Sequence, residues 1–219
     1  MGTRGEIYIR SPSCTIELWR HFDSYAEYMV PYFKGFAAYA AWCASGQTHL
    51  LTYPEDLAAM VVAYDYECTL AAILSFDLKY AVKRPDARPR GRIDDFEWVW
   101  ILDIPEEVTI ANFSERENIV WVVRGYVWKA GDSEEMRAAI RERRDGDLKK
   151  YLKKKVEFRI EPKAAGGGCR ICGYPGPLMA LKDPPICAYC LLKIVRRDDF
   201  IRSEVERAIK VAPLISSPE

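Results

Sequence analysis

The run Phe96-Glu97-Trp98-Val99-Trp100-Ile101-Leu102 is dense in aromatic and β-branched residues, which is typical of a buried β-strand. Two further runs of the same kind follow, over residues 108–113 and 119–128. Pro105 and the polar residues 114–117 separate the three runs, as turns separate neighbouring strands. This part of the chain therefore predicts an antiparallel meander.

Two shorter strand-like runs occupy the N-terminal part of the chain, over residues 6–10 and 15–22. The intervening Ser11-Pro12-Ser13 is turn-forming, so the two runs predict a β-hairpin. A capping-box pattern, Ser24 followed by Glu27, then predicts the start of a helix in a segment rich in alanine and aromatic residues.

Three helices are expected between and after these strands. Pro31 is expected to break or kink the first, so that its main part begins there. Thr52 and Glu55 open the second. The segment Asp132-Ser133-Glu134-Glu135 caps a third, charged helix, in which Gly146 is the expected weak point. The apolar positions of this third helix are Met136, Ile140, Leu148, Leu152 and Val156.

The order of these segments predicts the architecture. Residues 156–160 return as a short strand, and strands, helices, strands and a helix then follow one another along the chain. This order favours an α+β fold in which helices cover one side of an antiparallel sheet. Residues 1–162 are expected to form this core domain, and residues 163–219 a small C-terminal module with a helix of its own.

Length and composition limit the class of protein. The chain has 219 residues, of which 49% are hydrophobic, enough for one sizeable core and a small appended module. It has no long uncharged apolar stretch, and its N-terminus lacks a basic region followed by an apolar one. We therefore expect no secretion and no membrane contact, but a cytoplasmic location with reduced thiols. Cys14, Cys43 and Cys68 are then expected to be small buried hydrophobic residues.

Two Cys-x-x-Cys pairs lie near the C-terminus, Cys169 with Cys172 and Cys187 with Cys190, and fourteen residues separate them. Four thiolates at this spacing can close a tetrahedral zinc shell. Because such a shell leaves no position for a substrate, the pattern predicts a structural Zn²⁺. Two disulfides are the alternative. The chain has only one Gln and two Asn beside many charged residues, which is typical of thermophiles, and hyperthermophile proteins can carry intracellular disulfides.

The residues around these cysteines carry a resemblance. Gly173 follows the first pair and can supply the positive φ of a tight knuckle. A Pro- and Gly-rich hairpin precedes the second pair, which runs directly into the apolar, helix-like residues 191–195. Over about residues 168–200 this order resembles a treble-clef zinc finger. The resemblance implies metal binding and no particular activity.

Charge is balanced over the chain, with 32 basic and 32 acidic residues, which argues against non-specific nucleic-acid binding by the whole surface. Residues 141–155 are nevertheless basic, with eight cationic side chains against three acids. A basic, proline-rich stretch over residues 83–92 is expected to be a loop that adds to one phosphate-binding face. The alternative is a solvated helix face and an exposed loop. The residues expected to contact DNA or RNA are Arg141, Arg143, Arg144, Lys149, Lys150, Lys153 and Lys154.

The N-terminal part carries a second resemblance. The opening Met1-Gly2-Thr3-Arg4, residues 18–27 and the aromatic residues 96–103 are similar to a family of small uncharacterised bacterial, archaeal and phage proteins that begin with the same four residues. Ser24 and Ala26 stand where that family has Gly and Pro. The resemblance implies no activity, but it draws attention to the polar residues near this start.

These polar residues define a hypothetical enzyme site. His21 and Asp23 lie two residues apart, so a carboxylate can orient the imidazole if the strand continues through them. Together with Thr3 and Arg4 they can support acid–base chemistry or bind an anion. The alternative is structural: a strand end, a helix start and an ion pair of Arg4.

Three functions of different classes follow. The chain has no phosphate-binding Gly-rich loop with Lys, no dinucleotide fingerprint, no nucleophile elbow and no His-Glu-x-x-His. We expect a non-enzymatic, zinc-stabilised binding protein of a hyperthermophile or its virus, which contacts nucleic acid or a nucleic-acid-processing machine. The alternatives are a hydrolase-like enzyme at the N-terminal polar residues and a protein-interaction module that binds a protein partner through exposed aromatic residues.

Overall fold

The computed structural model describes residues 3–20, 23–44, 48–75, 87–89, 96–105, 119–163, 169–174, 178–179, 186–187 and 190. A single 3₁₀ turn within these residues, Thr48–Leu51, precedes the second helix. The helices and strands are, in order, β1 (Gly5–Arg10), β2 (Thr15–Arg20), α1 (Ala26–Ala44), α2 (Pro54–Ser75), β3 (Ala87–Pro89), β4 (Trp98–Asp103), β5 (Trp121–Trp128), α3 (Ser133–Arg141), α4 (Leu148–Tyr151), β6 (Leu152–Ile160), β7 (Leu178–Met179) and β8 (Ile186–Cys187).

The first six strands form one sheet in the order β3-β2-β1-β4-β5-β6. Neighbouring strands are antiparallel except β1 and β4, which run parallel with Gly5 opposite Trp98 and Arg10 opposite Asp103. The fold is α+β as predicted, but the sheet is mixed, so the prediction of an antiparallel sheet is wrong. A parallel pair needs a long crossover, and the chain between β2 and β4, which contains α1 and α2, provides it.

Helices cover both faces of this sheet, because alternate residues of its central strands point to opposite sides. Ile7, Ile9 and Trp100 belong to a buried cluster with residues of α1 and α2. Tyr8 and Ile101 belong to a second cluster with residues of α3. The expectation that helices lie on one side is therefore wrong. The near-continuous burial of β1 and β4 is typical of strands that are covered on both faces.

Helix α1 begins at Ala26 and continues through Pro31. Pro31 removes one backbone donor from the helix, and this loss has a local cost. Packing on the sheet offsets it: the ring of Phe33 lies 5.6 Å from that of Trp100 between centroids, and the indole N–H of Trp100 donates to the carbonyl of Ser24 at 2.7 Å. The expected start of the main helix at Pro31 is therefore wrong.

The charged segment after Asp132 is helical only at its beginning. Helix α3 starts as predicted, where the Asp132 carboxylate accepts hydrogen bonds from the backbone N–H groups of Glu134 and Glu135 at 2.8 and 3.2 Å. The helix ends at Arg141, and a turn that contains Gly146 leads through α4 into β6. The predicted helical positions from residue 152 onward are wrong, because strand β6 begins there and pairs with β5.

Buried ion pairs hold α3 on the sheet. Arg137 is fully buried and donates to Glu6 of β1 at 2.7 Å. At the other end of β1, Arg10 donates to Asp103 at 2.7 Å and to the carbonyl of Ile140 at 3.2 Å. Charged residues at these positions therefore belong to the packed interior, where each charge has a partner.

Several predictions concern residues that lie outside the described part of the chain or next to one of its gaps. The strand over 108–113 and the C-terminal helix after residue 190 lie outside it, as do residues 83–86 and 90–92 of the basic loop. Residues 87–89 form β3, which pairs with β2, so this part of the expected loop is a strand. The boundary between residues 162 and 163 stays a prediction.

Two observations bear on the cysteines and on membranes. Cys14, Cys43 and Cys68 are half-buried, less enclosed than expected. Among the helices of the described part, none combines the length and the apolar character that a membrane crossing requires.

Candidate metal centre and cationic edge

The first cysteine pair forms a tight knuckle. The N–H of Gly173 donates to the carbonyl of Cys169 at 2.6 Å, and the N–H of Cys169 donates to the carbonyl of Tyr174 at 2.8 Å. Gly173 has φ 73°, the left-handed conformation that the sequence predicts for it, and an added Cβ would meet no atom within 4 Å. Glycine is therefore suited to this position by its backbone conformation and not by a lack of space.

The second pair comes from the short hairpin β7–β8, in which Leu178 lies opposite Cys187. The backbone N–H of Cys190 donates to the sulfur of Cys187 at 3.4 Å. The four Sγ atoms of the two pairs lie within 4.8 Å of one another, and Cys172 Sγ is 3.8 Å from Cys187 Sγ. Four ligands at about 2.3 Å from a tetrahedral ion lie about 3.8 Å apart. The four cysteines can therefore hold a metal ion.

All four of these thiols are free in this structure, which favours a metal site over the alternative of two disulfides. Burial acts to raise the pKa of Cys169, but hydrogen bonds at the backbone of Cys187, Cys172 and Ile171 outweigh it and lower the pKa to about 6. Burial and hydrogen bonds with Cys172 and Cys169 raise the pKa of Cys190 to about 12. The surroundings thus shift the pKa values of these two sulfur atoms in opposite directions, and metal binding must release protons from this cluster.

The knuckle packs against α1. Cys169, Cys187 and Cys190 are buried in the same cluster as the residues of α1 and α2. Tyr174 follows the knuckle, and its ring lies 4.7 Å from Trp42 and 6.2 Å from Tyr39 between centroids. An ion at the four cysteines would therefore hold this part of the chain against the main core. The sequence did not single out Tyr174 or Trp42, although aromatic residues beside a knuckle are a usable signal.

The predicted nucleic-acid residues fall into two groups. Four of the seven form ion pairs: Arg141 with Glu17, Arg144 with Glu142 and Asp147, Lys150 with Asp147, and Lys154 with Glu157. The other three, Arg143, Lys149 and Lys153, are exposed and have no acidic partner among the described residues, and Lys155 shares this property. The basic stretch therefore contains two kinds of cation, those paired with a carboxylate and those exposed to solvent without one.

One of the three acids in the stretch, Asp145, pairs with cations outside the stretch. The Asp145 carboxylate accepts hydrogen bonds from Arg10 at 2.9 Å and from Arg124 at 3.0 Å. Asp145 therefore belongs to the network around Arg10, and of the three acids in the stretch only Glu142 and Asp147 pair with cations of the stretch itself. The four unpaired cations lie after the end of α3, on α4 and at the start of β6, and we call them the cationic edge.

The hypothetical N-terminal site is only partly described. The backbone N–H of Ser24 donates to the carbonyl of Thr3 at 3.1 Å, which places Thr3 and Arg4 beside Asp23. Asp23 has φ 51°, an uncommon conformation for a residue other than glycine. His21 lies outside the described residues, so the convergence of His21 with Arg4 and Asp23 stays a prediction.

Two features of the described part of the chain thus contain the chemical groups that a binding site needs. The cysteine cluster presents four sulfur atoms to one point, and the cationic edge presents four unpaired charges to solvent. Comparisons of the chain with protein-family models, with curated proteins and with solved structures find no match.

Proposed function

We propose that the protein is a non-enzymatic, zinc-stabilised binding protein that contacts nucleic acid. Zn²⁺ is the ion that suits four thiolates in a tetrahedral arrangement, because thiolates are soft ligands and zinc has no competing geometric preference. Cys169, Cys172, Cys187 and Cys190 would supply all four ligands. A shell closed in this way has no position for a substrate, so the role of the ion is structural.

The observation that supports nucleic-acid contact is the cationic edge. Arg143, Lys149, Lys153 and Lys155 are exposed, and no described acid neutralises them. Such side chains can neutralise phosphate groups and so release the counterions condensed on the nucleic acid, and this release drives sequence-independent binding. Arg141, Arg144, Lys150 and Lys154 already have carboxylate partners, so we expect them to contribute less.

A rival explanation assigns the lysines of β6 to protection of the sheet. Strand β6 is the last strand of the sheet at one side, and lysine at such an edge discourages pairing with another chain. This role needs the charges of Lys153 and Lys155 but predicts no affinity for phosphate. Binding measurements therefore separate the two explanations.

The test is binding of a fluorescein-labelled DNA duplex of random sequence at several salt concentrations, with the RNA of the same sequence in parallel. Four phosphate contacts predict a slope of log K against log salt of about −3.6, since each contact contributes about −0.9 on duplex DNA. The triple variant Lys149→Gln, Lys153→Gln, Lys155→Gln should leave a slope of about −0.9. The matched control changes the same three lysines to Arg, which keeps each charge, and should retain the native slope.

A native protein with no affinity for either duplex at low salt would overturn the proposal of nucleic-acid contact. The protein-interaction function would then take its place, because a specific observation favours it. Trp42 and Ile171 are 46% and 55% exposed, and both lie beside the knuckle. Loss of binding to a protein partner on Trp42→Ala would identify that surface.

A further inference from the structure

Helix α3 is followed by an arginine whose backbone has the left-handed conformation. Glu142 is the C-cap residue of the helix, and the next residue, Arg143, has φ 57°. The N–H of Arg143 donates to the carbonyl of Ile140 at 3.1 Å, and the N–H of Arg144 donates to the carbonyl of Ala139 at 2.8 Å. This pair of hydrogen bonds is the Schellman motif, in which Arg143 occupies the position that glycine most often takes.

An arginine at this position is unfavourable for the backbone. A side chain disfavours the left-handed conformation because its Cβ approaches the following carbonyl oxygen. Glycine would adopt the same φ without that contact, so the backbone alone gives no reason for a long side chain here. The guanidinium, and not the backbone, is therefore the part of Arg143 to which a role can be assigned.

The three arginines at this turn differ in their surroundings. Arg141 pairs with Glu17, and Arg144 pairs with Glu142 at 2.7 Å and Asp147 at 2.6 Å. Arg143 is exposed and has no acidic partner in the described part of the chain. Its planar guanidinium can donate two hydrogen bonds to one phosphate, which a lysine ammonium cannot do in the same fixed geometry.

We infer that Arg143 is a positioning residue for the nucleic-acid backbone, which it contacts through a bidentate bond to a phosphate at the end of α3. This inference rests on the proposed function and adds to it a fixed point of contact. The lysines of the cationic edge supply charge on flexible side chains, whereas Arg143 lies on a turn that two backbone hydrogen bonds hold in place. Contacts to phosphate of this kind set the register of a protein on a duplex and carry no base sequence.

The experiment compares the full-length native protein with Arg143→Gly, Arg143→Gln and Arg143→Lys on the labelled DNA duplex. Arg143→Gly and Arg143→Gln should each make the slope of log K against log salt shallower by about 0.9, the value of one lost contact. Arg143→Lys should keep the slope but bind more weakly, because the charge remains and the bidentate geometry is lost. Arg143→Gly should also raise the midpoint of chemical denaturation, since it relieves the left-handed backbone.

The control is the double variant Glu142→Gln, Arg144→Gln, which removes the ion pairs of Arg144 with Glu142 and Asp147 without changing the net charge and should keep the native slope. A native slope in both Arg143→Gly and Arg143→Gln would overturn the inference and leave the proposed function standing. No salt-dependent binding by the native protein would overturn both. Equal competition by polyglutamate and by unlabelled duplex would also overturn both, in favour of an acidic protein ligand.

Discussion

The cysteine cluster and the basic stretch are both visible in the sequence as concentrations of one kind of residue, but the structure treats them differently. All four cysteines converge, with their sulfur atoms within 4.8 Å of one another. The seven basic residues do not act as a set, since four of them pair with carboxylates. A metal site needs all its ligands at one point, whereas a charge can be satisfied by any acid nearby. Spacing therefore predicts ligands better than charge count predicts a binding face.

Loss of the metal should have the largest effect. Cys187→Ser removes a buried ligand, so the free energy of unfolding should fall by roughly 5 kcal/mol and the segment after residue 163 should become sensitive to protease. Thermal unfolding and limited proteolysis measure this. Cys14→Ser is the control, because Cys14 is far from the cluster in sequence and is not one of the four clustered cysteines. The slope of DNA binding with salt should not change in Cys187→Ser, because the cationic edge lies on other segments.

The packing of the knuckle on α1 should come second. Tyr174→Ala should lower the free energy of unfolding by about 3 kcal/mol, because it removes a buried ring from the contact with Tyr39 and Trp42. Tyr174→Phe keeps the ring and is the matched control. An unchanged denaturation midpoint in Tyr174→Ala would mean that the knuckle and α1 are not coupled.

Loss of the Asp145 carboxylate, which pairs with Arg10 and Arg124, should have a smaller effect. Asp145→Ala should cost about 1 kcal/mol, because Asp103 still pairs with Arg10 and much of the Asp145 side chain faces solvent. Burial acts to raise the pKa of Asp145, but Arg10 and Arg124 outweigh it and hold the pKa below its ordinary value. The stability from this group is therefore full above the unfolded pKa of about 3.9 and is lost as the pH falls further. Denaturation from pH 6 to pH 2 should show this loss in the native protein and less of it in Asp145→Ala.

The surface pairs should have the smallest effect. Arg144→Gln should leave the midpoint of thermal unfolding unchanged within error, because exposed ion pairs gain little over hydration. A clear drop in the midpoint would show that the turn after α3 depends on this pair, and the division of the basic stretch would then need revision.

Much of the local structure could be predicted from the sequence because its causes are local. The Asp132 cap, the two N-terminal strands and the positive φ of Gly173 each follow from a few neighbouring residues. The parallel pairing of β1 with β4 could not be predicted, because residues more than 90 positions apart decide it. The strand predicted over residues 156–160 is present in β6, but its start at Leu152 and the course of helix α1 through Pro31 were missed, since packing on the sheet overrides the local preference in both.

The candidate sites can likewise be separated into features with local causes and features that depend on distant residues or on the tertiary fold. The four cysteines were identified from spacing alone, since Cys-x-x-Cys places two sulfur atoms on one turn. The partner of Arg141 was not, because Glu17 lies 124 residues before it and nothing in the basic stretch points to it. The partners of Arg144, Lys150 and Lys154 lie only two or three residues away. The left-handed conformation of Arg143 could not be predicted either, since no glycine marks the end of α3.

The most direct test of the structural zinc ion is native mass spectrometry of the purified, full-length protein, recorded before and after treatment with a reductant. The account predicts one zinc ion per chain, and no zinc in the Cys187→Ser variant. A mass equal to that of the metal-free chain, or a mass lower by four hydrogens before reduction, would contradict it. The first result would remove the structural ion, and the second would replace it with two disulfides.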